Sequence, residues 1–161
     1  MPINPNILLN SILVLQNEAE ISVEGVSMEP VLYKGDMLHI KKGSYSLGDI
    51  LVFPYKNGEL LVHRYIGERL GRLLCKGDNS FRIEDIAAKD VIGKVVGLTN
   101  NGVTYKIPAP PQALIDASYQ VGKMFRQNGY NIELTKKTSL YQHFIRMEAE
   151  YAAFREPTNK E

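Results

Sequence analysis

Three short stretches carry the residue types that peptide-bond chemistry needs. GVSMEPVLYKGD (25–36) sets a small hydroxyl, Ser27, between Gly25 and Pro30. LLVHRYI (60–66) supplies His63, and CKGDNSFRIED (75–85) supplies Asp78, Glu84 and Asp85. A serine hydroxyl is a weak nucleophile near neutral pH and needs an adjacent base to take its proton. An imidazole suits that task because its unperturbed pKa of about 6.5 leaves it largely neutral at pH 7. A carboxylate on the far ring nitrogen fixes the tautomer and stabilises the imidazolium. The tetrahedral intermediate then needs hydrogen-bond donors, which the backbone N–H groups of Ser27 or Met28 can supply from a fixed turn. Gly25 lets the backbone or a substrate come close, and Pro30 holds the outgoing chain. Taken singly, each fragment reads as an ordinary turn or strand; together they give a serine, a histidine and acids in order.

Other chemistries find less support. Cys75 is the sole cysteine, so neither an intramolecular disulfide nor a paired-cysteine metal site can form. It reads as a small core residue rather than a redox centre. His39, His63 and His143 lie far apart and show no metal-ligand spacing, so no cofactor and no metal are expected. A formal net charge of +1 gives no electrostatic reason to expect a nucleic-acid partner. With 44% hydrophobic and 23% charged residues, the chain has the composition of a globular domain.

The elements that must position these groups are mostly strands. ISVEGV (21–26) alternates, as does DMLHIKK (36–42), with Met37, His39 and Lys41 on one side and Leu38 and Ile40 on the other. DILVFPY (49–55), LLVHRYIG (60–67), RLLCKGD (72–78), VIGKVVGLT (91–99) and VTYKIP (103–108) read as further strands. KNGE (56–59) and NNG (100–102) carry the Asn-Gly of tight hairpins. Glu84 and Asp85 read as a solvated face or the start of a helical turn. Few helical patterns interrupt this region, which argues against a βαβ architecture. PAPP (108–111) ends it. QALIDASYQVGKMFRQNG (112–129) then predicts a helix closed by Gly129. TSLYQHFIRMEAEYAAFR (138–155) predicts a second, capped by Thr138 or Ser139. Its apolar positions Leu140, Phe144, Met147, Tyr151 and Phe154 recur at helical spacing. At the other end, ILLNSILVL (7–15) is too short for a membrane span of about 20 residues. It predicts an amphipathic helix with Ile7, Leu8, Ser11, Ile12 and Leu15 near one face. The expected organisation is an N-terminal helix over 1–20, a mainly β catalytic domain over 21–107 and a C-terminal helical hairpin over 108–161.

GVSMEPVLYKGD resembles the nucleophile box shared by signal peptidases and the self-cleaving LexA-type repressors, with Ser27 at the serine and Gly35 and Asp36 at the trailing Gly-Asp. VHRYI and CKGDNSFRIED resemble the endoplasmic-reticulum and archaeal branch of signal peptidases. There a His-Arg replaces the usual Lys-Arg and a Lys-Gly-Asp-Asn box and a second acidic box follow. The resemblance covers roughly residues 21–98. It implies a LexA/signal-peptidase-like β-fold with Ser27 as nucleophile and His63 as general base. It also implies Asp85 as the favoured partner of His63, with Asp78 in support. The interval from Asp78 to the second box is one residue longer than in the family. Lys41 and Lys42, imaginable as a Ser-Lys base, fall on the wrong strand for it. The chain is expected to lack the family's membrane anchor and the repressors' DNA-binding domain.

The function this implies is a serine endopeptidase that cuts an extended segment of a precursor or leader-bearing polypeptide. The alternative is a peptide-binding or regulatory module on the same fold that does not cleave. The expected location is cytoplasmic with no transmembrane segment, and peripheral membrane contact through the N- or C-terminal helices stays open. His39 is expected to face solvent, His143 to have no role, and the helical aromatics to hold the hairpin together.

Overall fold

The computed structural model describes residues 9, 12, 13 and 15–156. Its centre is an eight-stranded antiparallel sheet: β1 (Glu18–Ser22), β2 (Met37–Lys41), β3 (Ile50–Pro54), β4 (Leu60–Arg69), β5 (Arg72–Lys76), β6 (Glu84–Ile86), β7 (Gly93–Asn100) and β8 (Val103–Lys106). The spatial order is β1-β2-β7-β3-β4-β5-β6, with β8 also paired to β7. Three helices follow: α1 (Gln112–Gln127), α2 (Ile132–Lys136) and α3 (Ser139–Ala152). The fold is mainly β with C-terminal helices, as the strand-rich pattern predicted.

Strand alternation divides the core into two. On β3, Ile50 and Val52 join a cluster with Met28, Val31, Leu32, Leu38 and Leu98. Leu51 and Phe53 join Tyr65, Leu73, Cys75 and Ile86 on the opposite face. Both faces of β3 are covered, which explains its unbroken apolar run. The helices pack on each other through Leu114, Val121 and Phe144 and on the sheet through Ile66, Leu74 and Ile115. At the far end, the Arg155 guanidinium reaches back to both Asp36 oxygens, with a third bond to the Val31 carbonyl at 2.9 Å. Burial opposes the Asp36 carboxylate. Donors from Arg155, Tyr33 N–H and Asn100, with the Arg155 charge, outweigh that and hold its pKa below the usual value.

Several local expectations change. The first strand begins at Glu18, so residues 18–20 belong to the sheet rather than to a helix. Leu9, Ile12, Leu13, Leu15 and Gln16 are helical, but Leu9 and Leu13 face the core while Leu15 is 82% exposed. The buried stripe is therefore the i, i+4 pair 9/13, where the burial of two leucines outweighs the predicted face; Ile7, Leu8 and Ser11 lie outside the described residues. NNG forms the predicted hairpin, with Asn101 and Gly102 at φ 50° and 77°. KNGE instead winds a 3-10 turn over Lys56–Gly58, closed by Tyr55 N–H to the Glu59 carbonyl at 2.7 Å. The second predicted helix is preceded by the short α2, and Thr138 caps α3 by accepting from Tyr141 N–H.

Candidate active site

Ser27 sits half-buried at the start of a tight turn whose far end is anchored by Val31 and Leu32 N–H groups on the Met28 carbonyl. The Met28 side chain is buried beneath it. A second turn, KGDN, is bonded to the first: Asn79 N–H donates to the Ser27 carbonyl at 2.8 Å, and the Asn79 amide donates to the Val26 carbonyl at 3.1 Å. Gly77 is required at this junction. A Cβ there would meet the Ser27 carbonyl and Ser80 Oγ at 2.6 Å and His63 Nε2 at 3.0 Å. Gly25 adopts φ 80° with open space around it, a conformation that glycine takes without steric cost.

His63 lies on β4 and is 5% exposed. Its Nε2 is 3.1 Å from Ser27 Oγ. Its Nδ1 is 2.5 Å from Glu84 Oε1, with the carboxylate off the line of the ring N–H, and the other Glu84 oxygen is buried without a hydrogen-bond partner. The Phe53 ring meets the imidazole edge-on at 6.4 Å. Cross-strand pairing explains the convergence. Leu51 pairs with His63, Tyr65 with Cys75, and Cys75 with Glu84. Directly paired residues share a face, as do residues two apart on one strand, so His63, Cys75 and Glu84 all point to the same side.

The two acids expected beside His63 are elsewhere. Asp85 is one residue out of phase, on the opposite face of β6, and pairs with Arg72 in a half-exposed contact. Asp78 is buried and accepts a two-pronged bond from Arg64, with Nε to Oδ1 at 2.9 Å and Nη2 to Oδ2 at 2.8 Å. Arg64 also donates to the Gly48 carbonyl at 2.8 Å. Burial opposes its charge, but Asp78 more than offsets this and keeps its pKa above the usual value. Glu84 is the carboxylate that touches the imidazole. Strand phase could have found it: Ile86 is the apolar residue of EDI, and Glu84, two positions before, must share its inward face.

Lys76 also escaped the sequence reading. It is the cross-strand neighbour of Arg64 and is wholly buried. Its Nζ donates to Ser118 Oγ at 3.0 Å and to the Gly77 carbonyl at 3.2 Å. Burial lowers its pKa to about 8 against the pull of Asp78, Glu148 and Glu84. Lys41 and Lys42 are exposed on and just past β2, remote from Ser27 in the strand order. The Cys75 thiol is pushed up to about 12 by burial, with Glu84 adding to it, which leaves it unreactive. His39 is half-buried beside Thr99, 2.7 Å from its Oγ1. Among the described residues no group of His, Cys, Asp and Glu could hold a metal ion, and no helix is long and apolar enough to cross a membrane.

A serine hydroxyl, an imidazole and a carboxylate brought together in this order are the groups that acyl transfer uses. The Peptidase S24-like model matches residues 7–96. The chain belongs to that family. Membership brings the LexA/signal-peptidase superfamily fold and suggests a peptidase-type function. The matched segment contains Ser27, His63, Asp78 and Glu84, whereas α1 to α3 lie outside it. No curated protein and no solved structure matches the chain.

Proposed function

We propose that the protein is a serine endopeptidase acting on an extended segment of a precursor or leader-bearing polypeptide. Its nearest mechanistic kin would be the Ser-His branch of signal peptidases. The observation that carries this reading is the 3.1 Å approach of Ser27 Oγ to His63 Nε2, with Glu84 at the other ring nitrogen. His63 takes the Ser27 proton as Oγ attacks the scissile carbonyl. Glu84 stabilises the imidazolium that forms. His63 then gives the proton to the leaving amine, and water releases the acyl group by the same route in reverse. The oxyanion is stabilised by the Ser27 and Met28 N–H groups, which have no acceptor among the described residues.

The substrate segment lies along β4. Leu60 to Val62 pair with β3 on one edge, and pairing with β5 begins only at Arg64. A free stretch of strand edge therefore ends at His63, where an extended peptide can add as a strand.

The test is profiling of new protein N-termini in cells carrying the wild-type chain, Ser27→Ala or His63→Ala. Each variant is expected to lose the wild-type cleavages, with rates down by about 10³-fold or more. Unchanged termini in Ser27→Ala cells would exclude the mechanism.

A further inference from the structure

Buried polar atoms are nearly always hydrogen-bonded, and an exception calls for a partner. Glu148 on α3 is 3% exposed, and neither of its carboxyl oxygens has a hydrogen-bond partner. It lines a cavity of about 120 Å³ between α3 and the two turns of the active site. That is about four times the ~30 Å³ that a water occupies in the liquid, room for one slender side chain. Glu29 and Asp78 add two more carboxyls to the wall, Phe81, Tyr141 and Phe144 add rings, and no Lys or Arg lines it. Phe81 and Tyr141 stack at 5.5 Å. Asp78 is already neutralised by Arg64. The nearest buried cations, Arg64 and Lys76, donate to Asp78, Gly48, Ser118 and Gly77, and the Lys76 ammonium lies over the Phe144 ring at 4.7 Å, but neither hydrogen-bonds Glu148. Carboxyls over aromatic faces are the surroundings an alkylammonium group prefers. The cavity also adjoins the chemistry: Glu29 and Pro30 follow Ser27 in the same turn, and Asn79 is bonded to the Ser27 carbonyl.

We propose that this cavity is a specificity pocket for a lysine side chain of the polypeptide substrate, with Glu148 receiving the ammonium. The assignment rests on the peptidase reading above and names a feature of its substrate. It also gives the helical hairpin, which the family match does not reach, a part in selecting what is cut. Burial, aided by the nearby Asp78, outweighs the pull of Arg64 and Lys76 and pushes Glu148 up to about 9, so an ammonium placed directly against the carboxyl would favour its ionised form.

Two measurements separate this proposal from the reading beneath it. In the first, the full chain is given peptides that place lysine, norleucine or glutamate at successive positions around a small-residue core. Wild type is expected to favour lysine over norleucine by roughly 10-fold in kcat/KM at one position. That ratio should fall towards one in Glu148→Gln. It should fall again in Ile145→Lys, which places a tethered ammonium at the exposed rim of the pocket. In the second, Nα-acetyl-lysine methylamide and its norleucine analogue are titrated into Ser27→Ala protein by NMR. Only the lysine compound is expected to bind, and Glu148→Gln introduced beside Ser27→Ala should abolish it. Cleavage without lysine preference, or equal binding of both compounds, overturns the pocket and leaves the peptidase standing. Lysine-selective, Glu148-dependent binding without cleavage of any peptide upholds the pocket and overturns the peptidase.

Discussion

Two neighbours on β4, His63 and Arg64, belong to different machines. His63 faces Ser27 and Glu84, with one close contact on each ring nitrogen and a carboxylate oxygen left over. Arg64 faces the other way, into a buried region under the helices where it donates to both Asp78 oxygens and to the Gly48 carbonyl. The Tyr151 ring covers it at 5.1 Å. The same division recurs on β6, where Glu84 faces the imidazole and Asp85 faces away to Arg72. On the peptidase reading, the strand period of two therefore sorts adjacent polar residues into a reacting side, loosely satisfied, and a bracing side, tightly satisfied. The KGDN turn belongs to both: Gly77 lies against Ser27 and His63, while Lys76 and Asp78 on either side of it are held by the brace.

Changes on each side should therefore fail differently. Glu84→Gln is expected to slow cleavage by about 10³- to 10⁴-fold, the scale seen when a triad acid is made neutral. It should leave the midpoint of urea unfolding little changed. Equal cleavage by Glu84→Gln and wild type would remove Glu84 from the reacting side. Arg64→Met should do the reverse and cost about 3–5 kcal/mol of stability by stranding Asp78, read by urea denaturation.

A smaller effect tests Glu148. Burial raises its folded pKa to about 9 from the ordinary carboxyl value of 4.5, so over that window the folded state holds a proton that the unfolded state has lost. Stability should decline as pH rises through the window, by up to about 1.4 kcal/mol per pH unit. Glu148→Gln should flatten that slope in thermal melts, and an unaltered slope would show that another group causes it. Asp85→Ala should do least. Its pair with Arg72 is partly exposed, so the cost should stay within about 1 kcal/mol and cleavage should persist. Loss of cleavage in Asp85→Ala would return that residue to the reacting side and dissolve the division drawn here.

The strand-rich fold and the pair Ser27 and His63 were legible in the sequence. Alternation marked β2, apolar runs marked β3 and β4, and the order of the motifs marked the two residues that meet. The acid was misassigned because motif order carries no phase: Asp78 and Asp85 lie in the right boxes but point to the wrong faces. Glu84–Ile86 read as a helical turn or solvated face because three residues are too short for a period to declare itself. Lys76, Ser118 and Glu148 were hidden for another reason. Their contacts join β5 to helices 42 or more residues away in sequence, and no local pattern encodes that docking. On α3 the apolar stripe through Phe144 and Tyr151 was visible, yet Glu148 sits within it, and a carboxyl there carries no local signal of burial.

The bonds from Arg155 to Val31 and Asp36 span 124 and 119 residues of sequence and fasten the turn that carries Ser27 to the last described segment of the chain. Synthesis runs from the N-terminus, so Ser27, His63 and Glu84 have all emerged from the ribosome before Arg155 is added. The turn gains this fastening only once Arg155 has been added, and a nascent chain that stops short of it holds Ser27 without those bonds. Ribosome-stalled chains ending before and after residue 155 would differ in how readily that turn is nicked by an added protease.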